Sequence, residues 1–131
     1  MSACQGAIIG IWQRIYEWEA LVNLDVSMYS IAIVAIRDRI DAYNAAELRS
    51  RLEQLLAEGI TRFVLDLSDV PFLDSAGMAV LVSLLKRARG AEGDVRLVWP
   101  KKEEAQRILR LTKFDRVFEM VETPTAALKG F

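Results

Sequence analysis

The chain has 131 residues, 53% of them hydrophobic, with 17 basic against 18 acidic side chains and a formal net charge of -1. It contains no histidine and one cysteine, Cys4, which excludes Ser-His-Asp and Cys-His catalysis, disulfide frameworks and cysteine-rich zinc sites. A chain of this length makes one domain with a core of its own, and its balanced charge offers no bulk attraction for nucleic acid or an anionic membrane.

Residues 7–12 are apolar, but the run stops at Gln13 and Arg14 with no basic segment before it, too short for a signal-peptide core. With a single cysteine besides, a reducing cytoplasmic setting is expected. Ile8, Ile11, Trp12, Ile15 and Tyr16 recur at helical spacing and predict an amphipathic extension over residues 1–20 that also carries Trp18. Such a segment packs against its own sheet, pairs with a second copy in a homodimer, or contacts a membrane protein; one basic residue, Arg14, against Glu17 and Glu19 disfavours a membrane-surface role. The domain proper is expected over 21–131. Its longest apolar stretches, Met28 to Ile36 and Gly77 to Leu85, reach about half the roughly 20 residues needed to span a bilayer, so they read as core and no membrane span is expected.

Leu21 to Ser27 alternates polar and apolar residues and Tyr29 to Ile36 is rich in β-branched ones, which predicts two strands joined tightly around Met28. Asn44 stands three before Glu47 in a capping-box pattern, and Leu48, Leu52, Leu55 and Leu56 form the apolar stripe of a helix that stops at Gly59. Thr61 to Leu67 is nearly all apolar at its centre, as in a strand covered on both faces. A second amphipathic helix runs from Ala76 to Arg89, with Met78, Leu81, Val82, Leu85 and Ala88 inward and Gly90 and Gly93 closing it. Val95 to Trp99 is the next strand, Pro100 opens a helix through Leu109 to Thr112, Val117 to Met120 is the last strand, and Thr123 to Leu128 forms a final helical turn. The order β-β-α-β-α-β-α-β-α implies an α/β domain with a mixed, mostly parallel sheet, helices packed on it, and an initial antiparallel hairpin.

Open α/β sheets meet ligands and partners at the carboxyl ends of their strands. After the third strand the loop reads Val70-Pro71-Phe72-Leu73-Asp74-Ser75-Ala76-Gly77-Met78 and places Ser75 at or beside the N-cap of the second long helix. A phosphate on Ser75 would add about -1.5 to -2 charge, which a helix N-terminus tolerates but a docked partner next to Asp74 need not. Gly77, without a side chain, permits close approach of another backbone or a nucleotide. An Asp-Ser pair before an apolar helix is equally an ordinary cap. Leu73 two residues before the serine and the missing histidine exclude a nucleophile elbow, and no phosphate loop or dinucleotide fingerprint occurs.

Four pieces in order, Arg39-Ile40-Asp41, Phe63-Val64-Leu65-Asp66-Leu67-Ser68, Asp74-Ser75-Ala76-Gly77-Met78 and Leu109 to Phe118, resemble the STAS domain family, which includes bacterial anti-sigma factor antagonists and the cytoplasmic tails of sulfate transporters. The likeness runs from about Val22 to Leu128. It implies a non-enzymatic, cytoplasmic regulator of transcription that needs no cofactor or metal. Ser75 would be the phosphoacceptor. Unphosphorylated protein would bind a partner that is both anti-sigma factor and serine kinase and so release a sigma factor; phosphorylation would end the contact and a phosphatase would restore it. The same resemblance implies a partner-binding surface of Asp41, Asp74, Ser75, Ala76, Gly77 and Met78. The alternative within the fold is a scaffold or transport-associated subunit. Two positions depart from the pattern: Asp38 and Lys113 stand where glycine is usual, and Asp38 suits its place if its backbone is left-handed. Lys86, Arg87 and Arg89, like Lys101 and Lys102, have acids nearby and read as solvated faces, Cys4 as a free thiol, and the methionines as core filler.

Overall fold

A computed structural model describes residues 31–131 and the backbone of residues 20–22. The predicted extension with Trp12 and Trp18, Cys4, and the connection around Met28 lie outside the described residues. Five strands form one sheet in the order β1 (Ala20–Val22), β2 (Ile31–Ala35), β3 (Arg62–Asp66), β4 (Asp94–Val98) and β5 (Glu119–Val121). β2 to β5 are parallel, with Phe63 opposite Ala32 and Val95, and Leu97 opposite Leu65 and Met120. β1 runs antiparallel beside β2, Ala20 opposite Val34 and Val22 opposite Ala32, on the far side of a connection that is not described.

Between the parallel strands lie α1 (Ala45–Ala57), α2 (Ser75–Gly90) and α3 (Glu103–Leu111), with the one-turn helix α4 (Phe114–Val117) leading into β5 and α5 (Pro124–Ala127) following it. Sequential order with right-handed crossovers puts successive helices on one face of a sheet. The core accordingly joins Ala32, Val34, Phe63, Leu65, Val95 and Leu97 of the sheet to Leu48, Leu52 and Leu55 of α1 and Leu81, Leu84 and Leu85 of α2. The alternate residues Ile31, Val64 and Val98 face the other way and are covered by Ala127, Leu128 and Phe131. Arg96 locks that second layer, donating to the carbonyls of Ala127 and Lys129 at 2.8 Å each and lying 4.2 Å over the Phe131 ring. Phe63, Val64 and Leu65 are fully buried, as a strand covered on both faces requires.

Several local expectations are corrected. Asn44 is the N-cap of α1 but makes no side-chain cap bond; its amide accepts from the Asp41 N–H at 2.9 Å and donates to the Arg39 carbonyl at 2.6 Å, because the turn before the helix takes both its polar atoms. Val82 lies on the flank of α2, and Val80 and Leu84 take the buried positions instead. Gly90 is the last helical residue; the left-handed residue beyond it is Glu92, φ 65°, while Gly93 is needed because a Cβ there would meet the Thr61 carbonyl oxygen at 1.7 Å. α3 starts at Glu103 rather than at Pro100, whose carbonyl is occupied by the Gln106 side chain at 2.7 Å. Lys101 and Lys102 precede this helix, and Glu103 and Glu104 fill its first turn with the sign its dipole favours. Val117 closes α4, so the last strand begins two residues later than its apolar character indicates.

Candidate functional site

The candidate site is built where two loops meet. Beyond the carboxyl ends of β2 and β3 the chain continues as an isolated parallel bridge between Ile40 and Leu73, closed by Ile40 N–H to the Phe72 carbonyl at 3.0 Å and Asp74 N–H to the Ile40 carbonyl at 3.1 Å. The two loops are thereby held edge to edge, and α1 and α2 depart from them side by side.

Asp74 is the N-cap of α2. Its Oδ1 accepts the Gly77 N–H at 2.9 Å, one of the helix donors that have no intrahelical partner, and its Oδ2 accepts the Ala42 N–H at 3.1 Å from the other loop. One carboxylate therefore ties the start of α2 to the turn before α1. Ser75 is the first helical residue, next to this cap, and it is exposed. Gly77 sits against Ile40: a Cβ there would lie 2.5 Å from Cγ2 and 2.6 Å from the carbonyl oxygen of Ile40. Sequence reasoning assigned this glycine to approach by an outside group, whereas the backbone that approaches belongs to the chain itself. Met78 is buried at 7% exposure and Ala76 half-buried, so of the segment 74–78 the exposed residue is Ser75.

Asp41 lies in the same place but is turned inward. It is 8% exposed; its Oδ1 accepts the Tyr43 N–H at 3.0 Å and its Oδ2 pairs with Arg39 Nε at 2.9 Å. Its carbonyl accepts from the Asn44 and Ala45 N–H groups. Asp41 thus shapes the surface and contributes little area to it. What the turn exposes is Tyr43, a residue 94% exposed that the sequence reading passed over. A tyrosine inside the polar run Asp41-Ala42-Tyr43-Asn44, ahead of the apolar stripe of the helix, is the available signal.

From Ser75 a shallow groove follows α2 past Met78 and Val82 to Lys86, walled by Thr112 and Phe114 of the α3–α4 corner. At that corner Lys113 adopts φ 63°, ψ 24°, the left-handed region that glycine favours. Asp38 is the other departure, and its backbone is not left-handed; its Oδ1 accepts the N–H of Arg39 at 2.7 Å, a local bond that holds the bend without glycine. Arg87 and Arg89 are paired with Glu53 and Asp94 at 3.2 and 3.0 Å.

The described residues thus form an α/β domain that presents an exposed serine on a capped helix beside a turn held by Asp74. Comparison with known proteins defines it further. The STAS domain model matches residues 22–127, and the chain belongs to the STAS domain family. A Thermotoga maritima protein assigned as an anti-sigma factor antagonist is 34% identical over 77 residues, covering 59% of this chain and 67% of that one. The anti-sigma-F factor antagonist RsfB of Mycobacterium tuberculosis is 29% identical over 100 residues, covering 76% and 80%. A crystal structure of an assigned anti-sigma factor antagonist of Thermotoga maritima superposes with a TM-score of 0.77 at 26% identity, over 87% of this chain and 93% of that one. Among the described residues, no helix is long and apolar enough to cross a membrane.

Proposed function

We propose that this protein is an anti-sigma factor antagonist whose state is set by phosphorylation of Ser75. The observation that carries the reading is the position of Ser75: exposed, first in a 16-residue helix, directly after the Asp74 cap. The names of its relatives support the same role, and none of those relatives points to the transport-associated alternative. In its unphosphorylated form the protein docks through the surface around Ser75 on an anti-sigma factor, which lets go of its sigma factor.

The kinase activity belongs to the partner. Both oxygens of Asp74 accept backbone N–H bonds, so the carboxylate nearest Ser75 is committed to structure and the base that removes the hydroxyl proton comes from the kinase. The serine oxygen bonds to the γ-phosphorus of ATP, the bond to the bridging oxygen breaks, ADP leaves, and the proton passes to that base. The product carries about two added negative charges at the start of α2. The helix dipole favours an anion there by about 0.3–1 kcal/mol, so the domain stays folded. The partner meets like charge against Asp74, and the contact is lost. A phosphatase resets the switch.

The test is phosphorylation by the anti-sigma factor kinase of the same genome. One phosphate per chain is expected, located on Ser75 by mass spectrometry and absent from Ser75→Ala. Ser75→Asp should weaken binding of the kinase in a titration. Phosphate at another residue, or equal affinity of the Ser75→Asp variant, overturns the reading.

A further inference from the structure

We propose that Tyr43 is the aromatic anchor by which this surface grips its partner, a role that rests on the anti-sigma factor reading above. The observation is an exposed ring on an over-determined turn. Among the described residues only Tyr43, Leu111 and Val117 are large hydrophobic side chains with substantial exposure, at 94%, 73% and 46%. Single exposed apolar residues are ordinary, but Tyr43 differs in what holds it. Its own N–H is bound by the Asp41 carboxylate, the preceding N–H by Asp74, and the flanking residues by the paired bonds of Asn44 to Asp41 and Arg39. Arg39 in turn pairs with Asp41. Four side-chain bonds to the backbone and one ion pair hold the turn up to a ring that touches no other aromatic ring among the described residues.

The same turn is joined to the phosphoacceptor helix. Tyr43 follows Ala42, and Ser75 follows Asp74, so each is one residue removed from the 3.1 Å bond between Ala42 and Asp74. A partner that reaches Ser75 therefore meets Tyr43. Tyrosine on a rigid turn loses little conformational freedom on binding and buries a large amphipathic area, the combination that makes hot spots. The occupant is the anti-sigma factor itself, and the feature it must offer is an apolar pocket with a polar rim, lying beside the cleft that receives Ser75. Asp41 acts as a positioning residue for this ring and does not itself contact the partner.

The experiment is a binding titration of the purified anti-sigma factor kinase of the same genome against the wild type, Tyr43→Ala and Tyr43→Phe, with thermal melts of all three and phosphorylation kinetics. Expected are a loss of about tenfold or more in affinity for Tyr43→Ala, retention within about threefold for Tyr43→Phe, unchanged melting, and a raised KM with kcat preserved. Equal affinity of wild type and Tyr43→Ala overturns the anchor and leaves the function standing. A fall in kcat without a change in KM also overturns it, because it places Tyr43 in the chemistry and not in docking. A wild type that binds no anti-sigma factor overturns the function and the anchor together.

Discussion

Gly77 shows how much of the site rests on one missing side chain. The Ile40 carbonyl must reach the Asp74 N–H at 3.1 Å for the two loops to join, and that places Ile40 where a Cβ on residue 77 would meet it at 2.5 and 2.6 Å. One of the two clashing groups is backbone, so a rotamer change cannot relieve it. Gly77→Ala should cost about 1–3 kcal/mol in urea unfolding, the range for forced overpacking, and should slow phosphorylation of Ser75 by displacing the loop that carries it. A variant as stable as the wild type would show that the two loops separate at no cost.

At the scale of elements, the helices begin and end by different devices. α2 starts with a carboxylate cap, and α5 with Thr123, whose hydroxyl accepts the Ala126 N–H at 3.0 Å. α1 has lost its cap to the turn before it. Between α3 and α4 the chain reverses through Lys113, a residue with a Cβ at φ 63°. Left-handed backbone costs non-glycine residues about 1 kcal/mol, part of which glycine gives back through its freer unfolded chain. Lys113→Gly is therefore expected to stabilise the domain by up to about 1 kcal/mol, measured as a higher urea midpoint at unchanged slope. Because Lys113 lies next to Thr112 and Phe114 at the end of the groove from Ser75, a loss of partner affinity in this variant would mark the lysine as a contact in its own right.

Across the whole molecule, the core between sheet and helices carries stability, and the proposed site lies apart from it at the strand ends. Leu81 is fully buried where α2 meets the sheet, so Leu81→Ala should cost about 2–5 kcal/mol and lower the melting temperature by roughly ten degrees or more. Ser75→Ala, at an exposed position, should leave the melt within the small range of surface substitutions. If the two variants melted alike, the packing of α2 on the sheet would not be what holds the domain.

What the sequence determined by itself was the order of the longer elements and the place of Ser75 at the start of a helix, while the one-turn helix α4 escaped it. Phe63 to Leu65 had to be a doubly covered strand because no polar residue interrupts it, and the stripes of α1 and α2 followed from helical period, with Leu48, Leu52, Leu55, Leu81 and Leu85 where the period put them. Asp74 and Ser75 were legible because a cap is a local event, written within four residues. Tertiary structure decided whatever depends on residues far apart in the chain. Asn44 became a turn residue because Arg39 and Asp41 compete for its amide. Asp74 acquired a second bond to Ala42, 32 residues away. Gly77 proved to serve Ile40, and Asp41, expected at the surface, proved to be inside it, holding outward the tyrosine that the local pattern had left unremarked. Hydrophobic period is a property of neighbours along the chain, whereas the pairing of two loops at the end of a sheet arises only once the strands beneath them are in register.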